Sequence, residues 1–598
     1  MLPKNRPSVF DIPELVALIA SHLMPYDLAQ CVASSKSLLH QFEPYLWGLF
    51  APEKAYLEDT AGLTRNLHHI KSINLGWRKK DYIELLTKAF QGLEGDEESG
   101  LTTPKISACT NLKRINLRDA KDDDQRDIAT IDQSSLSTLL RFNRKHLTHL
   151  GISSFCLKGV ASSPEWFVKM MSELTSLESL VIRESWELSM AMTAALLESS
   201  LVHPCLTEIW CEFPVGDNKK HCYFGRLDGG EIKKGGQLDG FNSRLENILS
   251  AAAVARSRCS ATTASIAQIK SLRLPAYPYA ASILLRLLES NILNLERFHI
   301  PKVHEPDFLD LMFDDVPSPG SGIQPHELEA VVARRCPRLQ HLSCSDCKSL
   351  IVQAVIRGCV NSGATLVSFK GEPSRFMIES PEYQFPIEIL VESYASRLQE
   401  VVLLGRHGLL FAEMQMVLMS CRNLRKYWVE PSETMCNIFG QRKDYYFDKE
   451  WVCLGLEELN LILPFERLWA YGSPESRARS ITHWIFEQVG RLKALKAVSL
   501  LWPIGISRFR DLDKQVWLRQ LRDLKRLQSF EMQANIWKWI RQAEMEIMLN
   551  QWPMLNTIKL GCESNDDGGW PESASDEGGR SHWNWIQEQR PWLRVCRE

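Results

Sequence analysis

The feature that most limits what this chain can fold into is a short apolar signature, Leu-x-x-Leu-x-Leu, with Ile, Val, Phe or Cys sometimes replacing Leu, that keeps returning from Ile70 onward. It reads at Ile70/Ile73/Leu75, Leu112/Ile115/Leu117, Leu147/Leu150/Ile152, Leu177/Leu180/Ile182, Leu206/Ile209/Cys211, Ile269/Leu272/Leu274 and Leu295/Phe298/Ile300. It continues at Leu339/Leu342/Cys344, Leu366/Phe369, Leu398/Val401/Leu403, Leu424/Tyr427/Val429, Leu456/Leu459/Leu461, Leu495/Val498/Leu500, Leu527/Phe530/Met532 and Leu555/Ile558/Leu560. About fifteen copies recur at a spacing of roughly 26 to 35 residues, so one structural unit is being repeated. In each copy the last two apolar positions lie two residues apart, on one face of a short strand, and the first Leu enters from the turn before it.

Between these strands lie apolar residues at helical spacing: Trp166/Phe167/Met170/Met171/Leu174, Leu328/Val331/Val332 and Ile481/Trp484/Ile485/Val489/Leu492. Neither a lone strand nor a lone helix buries its apolar side, so successive units must stack. The expected fold class is α/β, with parallel strands on the concave face of a curved solenoid and helices on the convex face. At ~4.8 Å per strand, about fourteen steps give an arc of roughly 65 to 70 Å. Stacking lets one body use all 598 residues, a length otherwise suggesting several domains.

These repeats resemble the leucine-rich-repeat family. The run Cys336-Pro337-Arg338-Leu339-Gln340-His341-Leu342-Ser343-Cys344-Ser345-Asp346-Cys347 is similar to its cysteine-containing variety. That resemblance implies that Cys347 fills a buried corner after the strand and satisfies backbone groups there. Other copies lack the corner residue and carry long insertions, so the solenoid, placed at 60–561, is expected to be irregular. Gly- and charge-rich punctuation marks a looped insertion around 213–242, and a Gly/Ser/acid stretch marks a linker at 562–580. Residues 581–598, with Trp583, Trp585, Ile586, Trp592, Leu593 and Val595, are expected to cap the open end.

Residues 8–50 follow a different pattern. Asp11 and Pro13 open a helix carrying Leu15, Leu18, Ile19, His22 and Leu23 on one side. A second helical face holds Leu28, Cys31, Val32 and Ser35, and a third holds Leu38, Leu39, Phe42, Leu46 and Trp47. Three helices in about forty residues enclose little core, so burial must be completed elsewhere. The stretch resembles the F-box through Ile12, Pro13, Glu14, Leu15, Ile19, Leu23, Pro25, Asp27, Leu28 and Trp47. It departs from that pattern at Ala33-Ser34-Ser35-Lys36-Ser37-Leu38, where many members carry Val-Cys-Lys-x-Trp. The resemblance implies that Pro13, Leu15, Ile19, Leu23, Pro25, Leu28, Val32 and Trp47 dock a Skp-type adaptor and, through it, the cullin of an SCF ubiquitin ligase. The repeats would then hold a protein substrate.

Lys and Arg number 70 against 73 Asp and Glu, a net charge of −3, and they are scattered along the chain among acids. This argues against a nucleic-acid or membrane-surface partner. No apolar run reaches the ~20 residues needed to span a bilayer. Pro3, Pro7 and Asp11 interrupt any secretory signal core, and sixteen cysteines without a dense framework fit reduced thiols in the cytoplasm or nucleus. Cys344-x-x-Cys347 lacks the second pair a structural zinc needs, and repeat geometry places Cys336 and Cys344 in the interior, so no metal or cofactor is expected. His326-Glu327-Leu328-Glu329-Ala330 lacks the second histidine of a metalloprotease helix, and no phosphate loop or nucleophile elbow occurs, so no catalytic residue is assigned. Strand alternation exposes Trp210 between Ile209 and Cys211, and likewise Val181/Arg183, Arg273, Arg297/His299, Val402, Trp428/Glu430 and Glu458/Asn460. Arg183, Trp210, Arg273, His299, Trp428 and Glu430 are therefore the candidate substrate contacts, with a central patch around the two tryptophans.

Overall fold

The computed structural model describes residues 10, 12–23, 25–50, 66–74, 112–117, 133–153, 171, 173–183, 205–212, 269–273, 285, 288–289, 293–300, 325–345, 347, 349–372, 386–403, 411–429, 449–462, 475–501, 518–533, 542–561 and 588–597. The chain divides into two compact units, Met1–Leu295 and Glu296–Glu598. The expected insertion at 213–242, the linker at 562–580, Trp583, Trp585 and Glu430 lie outside the described residues, as do Trp166, Phe167 and Met170.

Unit 1 opens with α1 (Pro13–His22), α2 (Pro25–Ser34) and α3 (Lys36–Leu46). Pro13 sits in the first turn of α1, where a missing N–H loses no helical bond. Ser35 caps α3 by accepting the Leu38 N–H at 3.1 Å. Val16, Ala20, Leu28 and Phe42 form the buried centre, with Ile19, Leu23, Cys31, Val32, Leu38, Tyr45 and Leu46 packed around it. Trp47 ends α3, and β1 (Leu49–Phe50) follows at once. This strand pairs in parallel with β2 (Ser72–Asn74), Leu49 opposite Ser72 and Phe50 opposite Ile73. The helical module is therefore continuous with the first rung of the ladder, one strand earlier than the leucine signature indicates.

The ladder proceeds in chain order through β3 (Arg114–Leu117), β4 (His149–Ser153), β5 (Ser179–Arg183), β6 (Glu208–Glu212) and β7 (Ile269–Arg273). Every neighbouring pair is parallel. The helix α4 (Gln133–Asn143) precedes β4 and buries Leu139 and Leu140.

Unit 2 holds the larger ladder. Its strands are β8 (Leu293–Ile300, whose residues from Glu296 belong here), β9 (His341–Ser345), β10 (Ser368–Glu372), β11 (Glu400–Leu403), β12 (Lys426–Val429), β13 (Glu458–Ile462), β14 (Ala497–Leu501), β15 (Ser529–Gln533), β16 (Thr557–Gly561) and β17 (Arg594–Arg597). Each is parallel to the next. Between them lie α5 (Pro325–Arg335), α6 (Ser349–Asn361), α7 (Ile387–Tyr394), α8 (Phe411–Ser420), α9 (Glu475–Arg491) and α10 (Gln542–Gln551). One strand per leucine signature, with helices in the connections, is the α/β arrangement the signature implies.

The leading leucines Leu339, Leu366, Leu398, Leu424, Leu456, Leu495, Leu527 and Leu555 are all buried. The residue after each one stacks on its predecessor. The N–H groups of Val367, Gln399, Arg425, Glu457 and Lys496 donate to the carbonyls of Gln340, Val367, Gln399, Arg425 and Glu457, at 2.7, 2.8, 2.7, 2.7 and 2.8 Å. Thus the turns before the strands form a row of their own.

Close helix packing behind the strands depends on two glycines. A Cβ on Gly358 of α6 would lie 2.7 Å from the Glu329 carbonyl of α5, and one on Gly490 of α9 would collide with the Gln520 carbonyl. Beside α9, the Trp451 indole donates to Gln415 Oε1 at 2.8 Å and the Trp451 N–H donates to Gln488 Oε1 at 3.0 Å.

The carboxyl end differs from the expected cap. Instead of only folding over the open edge, residues 594–597 add a further parallel strand, with Ile558 opposite Val595. Leu593 is buried as a leading leucine while Trp592 is 64% exposed. The reason is visible in the turn: Pro591-Trp592-Leu593 repeats the Pro553-Met554-Leu555 of the preceding rung. Arg590 holds the turn by donating to the carbonyls of Trp552 and Leu549 at the end of α10.

Candidate functional site

The amino-terminal helices leave apolar surface uncovered. Ile12 is 41%, Leu15 37% and Leu18 56% exposed, and Phe10, at 37%, meets Phe42 edge-on at 6.0 Å. Leu15 and Leu18 are three residues apart on α1, hence neighbours on one face. The eight residues expected to bind an adaptor divide across this surface. Pro13 and Leu15 are exposed; Ile19, Leu23, Val32 and Trp47 are half-buried; Leu28 is buried in the three-helix centre; Pro25 opens α2. Leu28 therefore holds the module together from within. Leu18 and Ile12 join the free surface instead. The signal for them is stoichiometric, since α1 carries more apolar residues than so small a core can enclose.

On the strand face of unit 1, Trp210 and Arg273 come together. They are register partners on β6 and β7, and the Arg273 guanidinium lies 6.0 Å from the Trp210 ring centre. The Trp210 indole donates to the buried Ser271 hydroxyl at 3.0 Å, which fixes the ring. Val181, expected to be exposed, is only 9% exposed, because it sits in register beside the Trp210 ring. Arg183 occupies the register position opposite Glu212. His149, beside Thr148 Oγ1 at 2.8 Å, is held below its ordinary value by burial and by Arg114, so its neutral form is favoured.

On the strand face of unit 2, His299 Nδ1 contacts Ser343 Oγ at 2.9 Å. Lys426 bridges Glu458 at 3.0 Å and Glu400 at 4.0 Å, and Ser368 donates to Glu400 at 2.9 Å. Trp428 is half-buried between its register partners Val402 and Asn460. Those two were expected to be exposed, yet Val402 is 7% and Asn460 2% exposed, since the indole between them covers both. Trp210 belongs to unit 1 and Trp428 to unit 2.

The cysteine-rich repeat is interior. Cys336, Cys344, Cys347 and Cys359 are buried, and the Cys347 thiol donates to the Ile300 carbonyl at 3.9 Å, the corner role that the resemblance implies. Burial pushes Cys336 up to about 12 and raises Cys344 and Cys359 further, which disfavours the thiolate that metal binding or redox exchange needs. Among the described residues no three His, Cys, Asp or Glu side chains gather as a metal site, and no helix is long and apolar enough to cross a membrane.

Cations behave differently from what their scatter along the chain suggests. The turns before β9, β11, β12, β14 and β15 carry Arg338, Arg397, Arg422, Lys493, Lys525 and Arg526, all exposed. Because these turns are stacked, residues some thirty positions apart come to lie on one rim of unit 2. The premise that Lys and Arg are dispersed among acids therefore does not hold for this rim.

No family model matches the chain, and no curated protein matches it. Among solved structures, the chain is similar to one described as the Rad7 and Elc1 complex in yeast, at 12% identity and a TM-score of 0.31, over 86% of this chain and 88% of that chain. It is also similar to the leucine-rich repeat-containing protein LegL7 from Legionella pneumophila, at 10% identity and a TM-score of 0.27, over 78% of this chain and 98% of that one. Both TM-scores are low, and the fold reading rests on the strand register of this chain itself.

Proposed function

We propose that the chain is the substrate-recognition subunit of an SCF-type ubiquitin ligase. The amino-terminal helices tether a Skp-type adaptor, and through it the cullin, while the strand ladders hold a protein client. The observation that carries this reading is the free face of Ile12, Leu15 and Leu18 on a helical module whose own core is already filled by Val16, Ala20, Leu28 and Phe42. A terminal cap would turn its leucines inward, whereas this one presents them, and exposed clustered apolar groups are what a helix-docking partner buries. The chain works by proximity and not by chemistry of its own: holding a client near the charged conjugating enzyme replaces a bimolecular encounter by a local one. No cofactor enters this role, and the unpaired thiols of the described cysteines suit the cytoplasm or nucleus.

Co-purification with a Skp-type adaptor is the test. The unmutated chain is expected to capture the adaptor, and Leu15→Asp plus Leu18→Asp to abolish capture with the circular dichroism spectrum unchanged. No capture by the unmutated chain would leave a repeat-based interaction scaffold without a ligase role.

A further inference from the structure

The rim of stacked turns in unit 2 has a charge that the strand face does not. Around Lys426, acids and bases alternate across β11, β12 and β13 and neutralise one another. Along the rim, the described turns between Arg334 and Leu593 hold three acids, Glu450, Glu457 and Asp523. All three are engaged: Glu450 with Arg491, Glu457 with Lys496, and Asp523 with Arg522. The Lys496 amine, and beyond it Arg425 and Arg526, keep the Glu457 carboxyl below its ordinary value, so it stays charged. Glu457 alone faces three cations, and the three acids do not balance the Arg and Lys of the row.

Rungs repeat at ~4.8 Å, so like charges stand within a Debye length of one another, and the fold holds them against their mutual repulsion. In the same row of turns stand apolar side chains with equally little cover: Leu454 at 52%, between Arg422 and Lys493, and beyond Arg526 Met554 at 54% and Trp592 at 64% exposed. Trp592 has a flat π-face on which a nucleobase stacks, but Leu454 and Met554 have none, and a phosphodiester chain offers these two nothing. A ligand that satisfies the whole rim carries carboxylates and aliphatic or aromatic groups together.

From this charge complementarity we infer that the rim of unit 2 docks an extended protein segment in which acidic and apolar residues alternate. Its carboxylates face Arg338, Arg397, Arg422, Lys493 and Arg526, and its apolar residues pack on Leu454 and Met554. The inference deepens the client-receptor reading, and rests on it for its role, by naming the kind of client segment selected. The binding itself requires no ligase component.

Fluorescence anisotropy on the full chain tests it, using a labelled twelve-residue peptide that alternates Glu with Leu and Phe. Two controls accompany it: the same peptide with every apolar residue changed to Ser, and a labelled single-stranded oligodeoxynucleotide of equal charge. The alternating peptide is expected to bind most tightly, with affinity that falls as salt rises. Reversing three charges, Arg397→Glu with Arg422→Glu and Arg526→Glu, is expected to weaken it by roughly tenfold or more. Leu454→Ser with Met554→Ser is expected to lower the preference for the alternating peptide over its Ser control. If the charge-reversed chain is misfolded by circular dichroism, the neutral set with Ser at those three positions replaces it. Binding untouched by these changes, equal binding of the Ser control, tighter binding of the oligonucleotide, or no peptide binding at low salt would each overturn the inference. Adaptor capture with no peptide preference sinks the inference alone, and peptide binding without adaptor capture sinks the ligase reading alone.

Discussion

Trp451→Phe isolates one buried hydrogen bond and shows how unit 2 is held together behind its strands. The indole is 2% exposed, meets Trp484 edge-on at 6.0 Å, and donates to Gln415, which is itself 2% exposed. Phenylalanine removes the donor and leaves Gln415 Oε1 without a partner, which costs about 1–3 kcal/mol. The smaller ring adds a cavity cost, bringing the total to about 2–4 kcal/mol. Gln415→Leu orphans the indole N–H instead and costs about 1–3 kcal/mol. In the double variant neither polar group remains unpaired, so its loss is expected to fall short of the sum by about 1–2 kcal/mol. A chain of two units need not melt in one step, so the assay is native-state hydrogen exchange read by mass spectrometry on peptides from α8 and α9. Each single change is expected to lower protection by about tenfold or more, and the double to recover much of the difference. Strict additivity within about 0.5 kcal/mol would refute the assignment of the stabilisation to this bond.

Phe42→Ala is expected to remove about 3–5 kcal/mol from the three-helix module and to expose α1–α3 to protease, whereas Leu18→Ala changes stability by no more than about 0.5 kcal/mol; limited proteolysis separates them. Burial lifts Cys336, Cys421 and Cys453 to about 12 from 9.0, so these thiols stay protonated in the folded chain while the unfolded chain ionises. Their contribution is fully present below pH 9.0 and is expected to be lost progressively as pH rises toward about 12, seen as a falling midpoint in urea. Iodoacetamide labelling of the native chain should accordingly modify the exposed Cys205 and spare Cys336.

The strands were legible because the leucine signature states both the turn and the two inward positions, and among the described residues the leading leucines are buried where the signature puts them. Less was legible where a neighbour's bulk decides. Val402 and Asn460 obey the alternation rule and are nonetheless covered, because the residue in register between them is a tryptophan. Gln415 and Gln488 sit at interior helical positions that an apolar period passes over, and only the partners Trp451 and Arg491 explain them. In the helical module the period identified one apolar side of α1 without saying how much of it the core would use, which is why Leu18 stays exposed while Leu28 is buried. The basic rim was invisible in any window of sequence: its members are a full repeat apart, and only the stacking of turns adds them up.

Each turn in unit 2 is joined to the next through one carbonyl that accepts from two consecutive amides, from Gln340 through Val367 and Gln399 to Arg425 and onward. Every joint is chemically the same. Excising one complete period would therefore leave a donor meeting an acceptor of identical geometry, and the row would shorten without a seam. Such a chain can change its reach in whole-number steps, and a recognition surface built along it lengthens or contracts by the same increments, with no need to redesign the parts that remain.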